Sequence, residues 1–155
     1  MTKNILITGG AGFIGSHLTD ELLKHGYNIR ILDNLADQVH GADPGRPAYL
    51  SSDAEFFQAD IRDPKAVAEA LKGIDAVYHF AAAVGVGQSM YQIEKYTSIN
   101  NIGTAVLLEA LIKNPVEKLV VASSMSIYGE GLYRDADGQC RAGTERNLEQ
   151  LKRHE

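Results

Sequence analysis

Residues Asn4 to Ser16, Asn-Ile-Leu-Ile-Thr-Gly-Gly-Ala-Gly-Phe-Ile-Gly-Ser, constrain this chain more than any other stretch. Ile5, Leu6 and Ile7 read as a buried strand, and Ile14, Leu18 and Leu22, spaced four apart, read as the apolar stripe of the next helix. Between them Gly10, Gly12 and Gly15 satisfy G-x-G-x-x-G, while Gly9, Gly12 and Gly15 satisfy the wider G-x-x-G-x-x-G. In a strand, glycine turn and helix, one glycine permits the tight turn, the next lets backbone approach a pyrophosphate, and Gly15 lets the helix pack closely on the sheet. The free N–H groups and the dipole at the helix start then attract phosphate. A glycine turn that binds nothing has the same local pattern, so the adjoining segment decides. A second strand, Asn28 to Leu32, ends in Asp33, 18 positions after Gly15. That is close to the spacing at which an acidic residue accepts hydrogen bonds from an adenosine ribose. Its charge repels a 2′-phosphate, so the expected dinucleotide is NAD rather than NADP.

Beyond Asp33 the pattern alternates. Asn34 to Ala54 is polar, contains Pro44, Gly45 and Pro47, and reads as a loop with room for a short helical piece. Glu55 to Ala59 reads as a third strand. Asp63-Pro64 then supplies an N-cap and a first-turn proline to a helix whose core face is Val67, Ala70 and Leu71 and which ends at Gly73. Ala76 to Phe80 is a fourth strand. The small, glycine-containing run Ala81 to Ser89 suits backbone that passes close to a ligand. A long helix is expected to end near Lys113, with Ile99, Ile102, Val106 and Ala110 as its stripe and Leu107 and Leu111 widening it. Leu119 to Val121 forms a fifth strand. Strands alternating with helices imply right-handed crossovers, hence an α/β fold with a doubly wound, Rossmann-type parallel sheet of about five strands. Ligands in such sheets bind beyond the carboxyl ends of the strands. That rule gathers Gly9 to Gly15, Asp33, Asp60, Ala81 to Ala83 and Ser123 to Tyr128 on one edge. After Gly131 regularity breaks at Asp135, Asp137, Gly138 and Gly143, and Thr144 to Glu155 is charged, with Leu148 and Leu151 enough for a short surface helix, a segment that reads equally as disordered. The expected organisation is a partial Rossmann domain over residues 1–133 and a charged tail or part of an insertion over 134–155.

With 20 acidic against 15 basic residues, the net charge of −5 and pI near 5.5 argue against nucleic acid as a partner. No apolar run approaches the roughly 20 residues of a membrane helix, and no charged-then-apolar leader stands at the start, so the expected location is cytoplasmic. Cys140 is the only cysteine, which rules out an intrachain disulfide and a cysteine-rich zinc site.

Six segments stand in a recognisable order: Thr8-Gly9-Gly10-Ala11-Gly12-Phe13-Ile14-Gly15, Asp33-Asn34, Asp60-Ile61, His79-Phe80-Ala81-Ala82-Ala83, Asn100-Asn101-Ile102-Gly103-Thr104 and Ser123-Ser124-Met125-Ser126-Ile127-Tyr128-Gly129. On these, Lys3 to about Tyr133 resembles the N-terminal part of the extended short-chain dehydrogenase/reductase family, the NAD-dependent epimerases and dehydratases of nucleotide sugars. The resemblance implies that Phe13 and Ile14 lend backbone N–H groups to the pyrophosphate, that Asp33 and Asn34 sit at the adenosine ribose, and that Asp60 and Ile61 contact adenine. It implies further that Phe80, Ala81 and Ala82 lie along the cofactor, that Asn100 fixes the loops beneath it, and that Ser123 adjoins it. Ser124 matches the family's active-site serine, four residues before Tyr128. His79, on an apolar strand, reads as a packed core histidine rather than a catalyst. Met125 to Tyr133 is similar to the branch acting on dTDP-hexoses, in particular the dTDP-L-rhamnose 4-epimerase type, which carries an insertion after the serine motif.

One departure bears on activity. The family's Tyr-x-x-x-Lys, in which lysine depresses the tyrosine pKa so that the phenolate takes a sugar hydroxyl proton while hydride moves to the nicotinamide, has no counterpart after the serine motif. Tyr91-Gln92-Ile93-Glu94-Lys95 has the spacing but precedes that motif and reads as coincidence. The expectation is therefore the NAD-binding part of a nucleotide-sugar epimerase with little or no turnover. Two alternatives stand beside it: a non-catalytic dinucleotide-binding or regulatory module, and a dehydratase or reductase of the same family. An exposed parallel edge at the fifth strand favours self-association.

Overall fold

The computed structural model describes residues 2–42, 45–128, 131–143 and 147–153, and its contacts divide the chain into two units, one ending at Ala122 and one starting at Ser123. In the first unit, β1 (Asn4–Thr8) lies at the centre of a parallel sheet, paired on one side with β2 (Asn28–Asp33) and on the other with β4 (Ala76–His79). The order is β3-β2-β1-β4-β5, with β3 (Glu55–Gln58) and β5 (Lys118–Val121) at the edges. Thr8, Leu32 and His79 are in register, so the glycine turn, Asp33 and Phe80 leave the sheet side by side at its carboxyl end.

The two-residue period of the strands sorts their apolar side chains into two layers. Leu6, Leu32 and Val77 point into one core with Val67, Leu71 and Leu107, while Ile5, Ile7, Ile29 and Ile31 point into the other with Leu35 and Leu50. The first core is closed by α3 (Pro64–Ala70) and α6 (Gly103–Lys113), the second by α1 (Phe13–Lys24). Asp63 caps α3 as expected, its carboxylate accepting from Lys65 N–H and Ala66 N–H at 2.8 and 3.2 Å. The expected short helical piece after β2 is α2 (Asp37–His40). Pro44, expected within that loop, lies outside the described residues.

Two helical stripes differ from expectation. Ile14 is 62% exposed, because α1 is turned so that Gly15 and Thr19 are its buried residues, with Leu18 and Leu22 packed at the margin. The expected long helix is α5 (Ile93–Thr97), one wide π turn over Ser98–Ile102 and α6 in direct succession, while α4 (Val86–Ser89) falls in the glycine-containing run before it. The wide turn rotates the helical segment beyond it: Ile102 is 55% exposed, and Gly103, Leu107 and Ala110 form the buried line. Gly103 is required there, since a Cβ would come within 2.6 Å of Ile61 Cγ2.

In the second unit a tight turn over Met125–Tyr128 precedes an antiparallel hairpin of β6 (Leu132–Arg134) and β7 (Cys140–Ala142). Three of the residues that read as breaking regularity, Asp135, Asp137 and Gly138, build its turn, and Gly143 follows β7. Asp135 Oδ1 accepts from Asp137 N–H and Gln139 N–H at 3.1 and 2.8 Å, and Gly138 takes φ +77°. The expected surface helix is α7 (Leu148–Lys152), closed by a capping box between Asn147 and Gln150. Gly129 and residues 144–146 and 154–155 lie outside the described residues.

Candidate functional site

Each glycine of the loop between β1 and α1 has a different reason to be there. Gly9 adopts φ +69°, and a Cβ on it would meet Phe80 C and Ala81 N at 2.7 Å. Gly15 packs on the turn itself, where a Cβ would overlap the Gly9 carbonyl oxygen and come within 2.6 Å of Gly10 Cα. Gly12 is different. Its backbone is extended, with φ −69° and ψ 173°, and a Cβ would touch only the Gly9 oxygen, at 3.3 Å. That contact is close but single, so packing demands glycine far less there than at Gly9 or Gly15, and among the described residues no other atom beyond its chain neighbours lies within 4 Å. Gly12 opens α1 with no side-chain cap, and the first intrahelical bond runs from Ser16 N–H to Gly12 O at 2.9 Å. The N–H groups of Phe13, Ile14 and Gly15 therefore precede the helix's own hydrogen bonding, as a phosphate site requires. The Phe13 and Ile14 side chains, 77% and 62% exposed, stand away from the core.

At the end of β2, Asp33 is buried, only 8% exposed. Its Oδ2 accepts from Ala11 N–H at 3.0 Å and its Oδ1 from Leu35 N–H at 2.9 Å, which ties the glycine loop to the β2 exit. Each oxygen keeps a second lone pair, so acceptor capacity remains for a ribose hydroxyl. Asn34 closes its own turn by accepting from Ala36 N–H at 3.1 Å and donates to Asp60 Oδ2 at 3.1 Å.

Asp60 is more heavily committed than its sequence motif suggests. Its Oδ1 accepts from Arg62 N–H at 2.9 Å and Arg62 Nε at 2.8 Å; its Oδ2 accepts from Arg62 Nη2 at 2.7 Å and from Asn34. The roughly four acceptor positions of a carboxylate are thereby filled, and an adenine amino group reaches Asp60 only by displacing one of these donors. Arg62 also donates to Ser98 Oγ at 3.1 Å, joining the β3 exit to the wide turn. Ile61 is buried against Gly103 and forms the apolar floor between them. The Arg62 side chain, then its backbone N–H and Asn34, hold the Asp60 carboxyl down at about 2 despite partial burial. The unfolded chain therefore takes up this proton at a higher pH than the folded one. The stabilisation is complete above an ordinary aspartate pKa near 3.8 and is lost as pH falls toward 2. With both side chains about one-third exposed, screening reduces it to about 1 kcal/mol. Denaturant titrations across that interval should show Arg62→Met losing this acid sensitivity, and an unchanged slope would count against the pair.

At the β4 exit the donors and acceptors fall into one order. Thr104 Oγ1 donates to Asn100 O at 2.6 Å, so at 3.0 Å from His79 Nε2 it accepts. His79 thus carries its proton on Nε2, and Nδ1 accepts from the Thr8 hydroxyl at 2.7 Å, while Thr8 Oγ1 accepts from Ala81 N–H at 3.2 Å. Burial lowers the His79 pKa, consistent with this neutral form. Asn100, in the wide turn, fastens Ala83 at both ends: Oδ1 accepts from Ala83 N–H at 2.8 Å and Nδ2 donates to Ala83 O at 3.0 Å. Phe80 and Ala81 are half-buried against the two cores and Ala82 is exposed between these fastenings.

Ser123 and Ser124 belong to the second unit and are exposed there. Ser124 Oγ donates to Ser126 Oγ at 3.0 Å and accepts from Ser126 N–H at 3.1 Å, opening the tight turn that carries Tyr128. Tyr91, 77% exposed, and Lys95 bracket the start of α5. Sequence reasoning misses Arg62, His40 and Tyr49. The pairing of Arg62 with Asp60 two positions earlier is a visible signal, whereas the aperiodic segment holding His40 and Tyr49 gives none. Among the described residues no cluster of histidine, cysteine, aspartate and glutamate has the makings of a metal site.

Residues 5–147 match the model of the NAD dependent epimerase/dehydratase family. The dTDP-L-rhamnose 4-epimerase of Burkholderia thailandensis is 36% identical over 154 residues, covering 97% of this chain and 42% of that protein. The UDP-glucose 4-epimerase of Bacillus subtilis is 43% identical over 127 residues, 81% of this chain and 38% of its own length. Among solved structures, the UDP-glucose 4-epimerase of Thermus thermophilus in complex with NAD superposes with a TM-score of 0.72 at 36% identity, over 90% of this chain and 44% of that one. The chain thus spans about two-fifths of the relatives it matches.

Proposed function

The chain belongs to the NAD dependent epimerase/dehydratase family, and on that premise we propose that it is the NAD-binding part of a nucleotide-sugar epimerase. The observation that carries this reading is Gly12, a glycine that packing requires less than Gly9 or Gly15, at the mouth of an uncapped helix beside a buried carboxylate at the next strand end. NAD, when bound, supplies the acceptor and then the donor of hydride for transient oxidation at a sugar C4 hydroxyl. The chain's own residues hold it. Phe13 and Ile14 offer N–H groups to the pyrophosphate, Asp33 and Asn34 take the adenosine ribose, and Ile61 backs the adenine, with Asp60 shaping that wall through Arg62. Phe80 to Ala82, steadied by Asn100, line the path toward the nicotinamide. Ser123 and Ser124 bring the family's active-site serine, while no Tyr-x-x-x-Lys follows it. The reading for the residues in hand is cofactor binding.

For the sugar nucleotide the reading takes the dTDP-hexose branch, on the relative matched over 97% of the chain with the second unit included. A cytoplasmic location goes with this reading; no helix among the described residues is long and apolar enough to cross a membrane. Self-association through the outer edge of β5, which pairs with no further strand in the described sheet, belongs to it as well.

Calorimetric titration with NAD, NADP and ADP-ribose tests the proposal. NAD and ADP-ribose should bind about equally, and NADP more weakly. Asp33→Ala should weaken NAD about tenfold, or about 1.4 kcal/mol, and NADP less. Equal weakening of both would sink the ribose assignment, and no heat from folded protein would leave a non-catalytic module without this cofactor.

A further inference from the structure

Over Asp33 lies a small cluster that neither the glycine loop nor the motifs account for. Tyr49 donates its single hydroxyl proton to the Ala11 carbonyl oxygen at 2.6 Å, because a carbonyl can only accept. The contact between Tyr49 Oη and His40 Nδ1 at 3.3 Å then requires the proton to be on Nδ1. A neutral His40 is left with a bare lone pair on Nε2, and that atom lies 3.8 Å from Asp33 Oδ1, with the two side chains only 5% and 9% exposed. Two acceptors face each other across a gap too long for a hydrogen bond. Two occupants satisfy them: hydroxyl donors from a ligand, or a second proton on His40 that turns the pair into imidazolium and carboxylate. An adenosine ribose diol carries two adjacent hydroxyl donors. A 2′-phosphate carries none and is repelled by both.

We propose that His40 is a specificity-determining residue for the adenosine half of the dinucleotide, its neutral Nε2 adding a second acceptor beside Asp33 for the ribose diol. This rests on the reading of the site as an NAD site. The titratable groups facing the imidazole from neighbouring elements are Asp33 and Tyr49, and on its own short helix Asp37 stands three residues back. Burial first, then the Asp33 charge, raises the Tyr49 pKa, so its hydroxyl keeps the proton that fixes this order. Removing the imidazole takes away one of the two acceptors and leaves Asp33 in place, so the loss falls on ligands that carry the free diol.

The test is the affinity of wild type, His40→Phe and His40→Gln for NAD, ADP-ribose and NADP at about pH 8. His40→Phe, which offers no acceptor, should weaken NAD and ADP-ribose about fivefold and NADP less, and His40→Gln, whose amide oxygen can accept, should recover part of that loss. A second measurement uses ADP-ribose lacking the adenosine 2′-hydroxyl: His40→Phe should weaken this ligand less than it weakens ADP-ribose. Equal weakening of NAD and NADP by His40→Phe, or wild-type affinity in that variant, overturns the role of His40 and leaves the NAD site standing. Failure of folded wild-type protein to bind either ligand at about pH 8 overturns the NAD reading, and His40's role with it.

Discussion

Gly12→Ala and Gly15→Ala, three residues apart in one loop, are expected to fail in opposite ways. A methyl group at Gly15 has nowhere to go: it overlaps the Gly9 carbonyl and crowds Gly10 Cα, both backbone atoms of the turn that joins β1 to α1. Backbone cannot give way by changing a rotamer, so the cost lies at or above the upper end for overpacking, about 3 kcal/mol. That is a large share of the roughly 5–15 kcal/mol that holds a domain together. The thermal midpoint should fall by about 10 °C. At Gly12 the same methyl meets one oxygen at 3.3 Å, and its extended backbone suits alanine, so stability should stay within about 1 kcal/mol of wild type. The methyl instead fills the space in front of the Phe13 and Ile14 N–H groups, and NAD affinity should drop at least about tenfold. Thermal unfolding and calorimetry on the same two proteins decide the matter. A Gly12→Ala chain that binds NAD like wild type would remove the pyrophosphate from this helix start, and a Gly15→Ala chain that melts like wild type would remove the packing argument.

How much of the fold is legible in the sequence depends on the range of the forces involved. The alternation of strands and helices is implied by local pattern: Leu6 points to one face while Ile5 and Ile7 point to the other, and Gly9, Gly15 and Asp63 each perform a task that their own residue type dictates. The wide turn at Ser98–Ile102 has no such local signal. It is shaped by Asn100 fastening Ala83 and by Arg62 reaching Ser98, contacts between residues 17 and 36 apart in the chain. The apolar period of the long helix therefore fails at the turn, where it places Ile102 inside, and is recovered beyond it at Leu107 and Ala110. The hairpin of the second unit is hidden for the opposite reason. Asp135, Asp137 and Gly138 read as breaks, although they are also the residues that make a tight turn between two short strands. Within the site, residue identity locates Asp33 and Asp60, but the partners that set their roles, His40, Tyr49 and Arg62, come from segments whose placement is tertiary.

His79→Phe should cost about 3 kcal/mol, because the imidazole hydrogen-bonds β1 through Thr8 and α6 through Thr104 at the edge where the cofactor would lie. In the intact chain every proton has a place: Ala81 N–H to Thr8, Thr8 to His79 Nδ1, His79 Nε2–H to Thr104, and Thr104 to the Asn100 carbonyl. Phenylalanine fills similar space but leaves the buried Thr8 hydroxyl without its acceptor and Thr104 without its donor. Loss of the link also frees the backbone at Ala81, so NAD binding should weaken several-fold without any contact residue having changed. A pH experiment separates this network from simple packing. Burial lowers the His79 pKa below the ordinary 6.5, so below that pH the unfolded chain takes a proton that the folded chain refuses. Stability is therefore whole above 6.5 and declines as pH falls from there toward the folded-state pKa. Denaturant unfolding of wild type and His79→Phe side by side should show a steeper acid decline in wild type, the other four histidines cancelling in the comparison. Parallel declines would mean that the proton order along Thr8, His79 and Thr104 is not the one that holds the β4 exit in place.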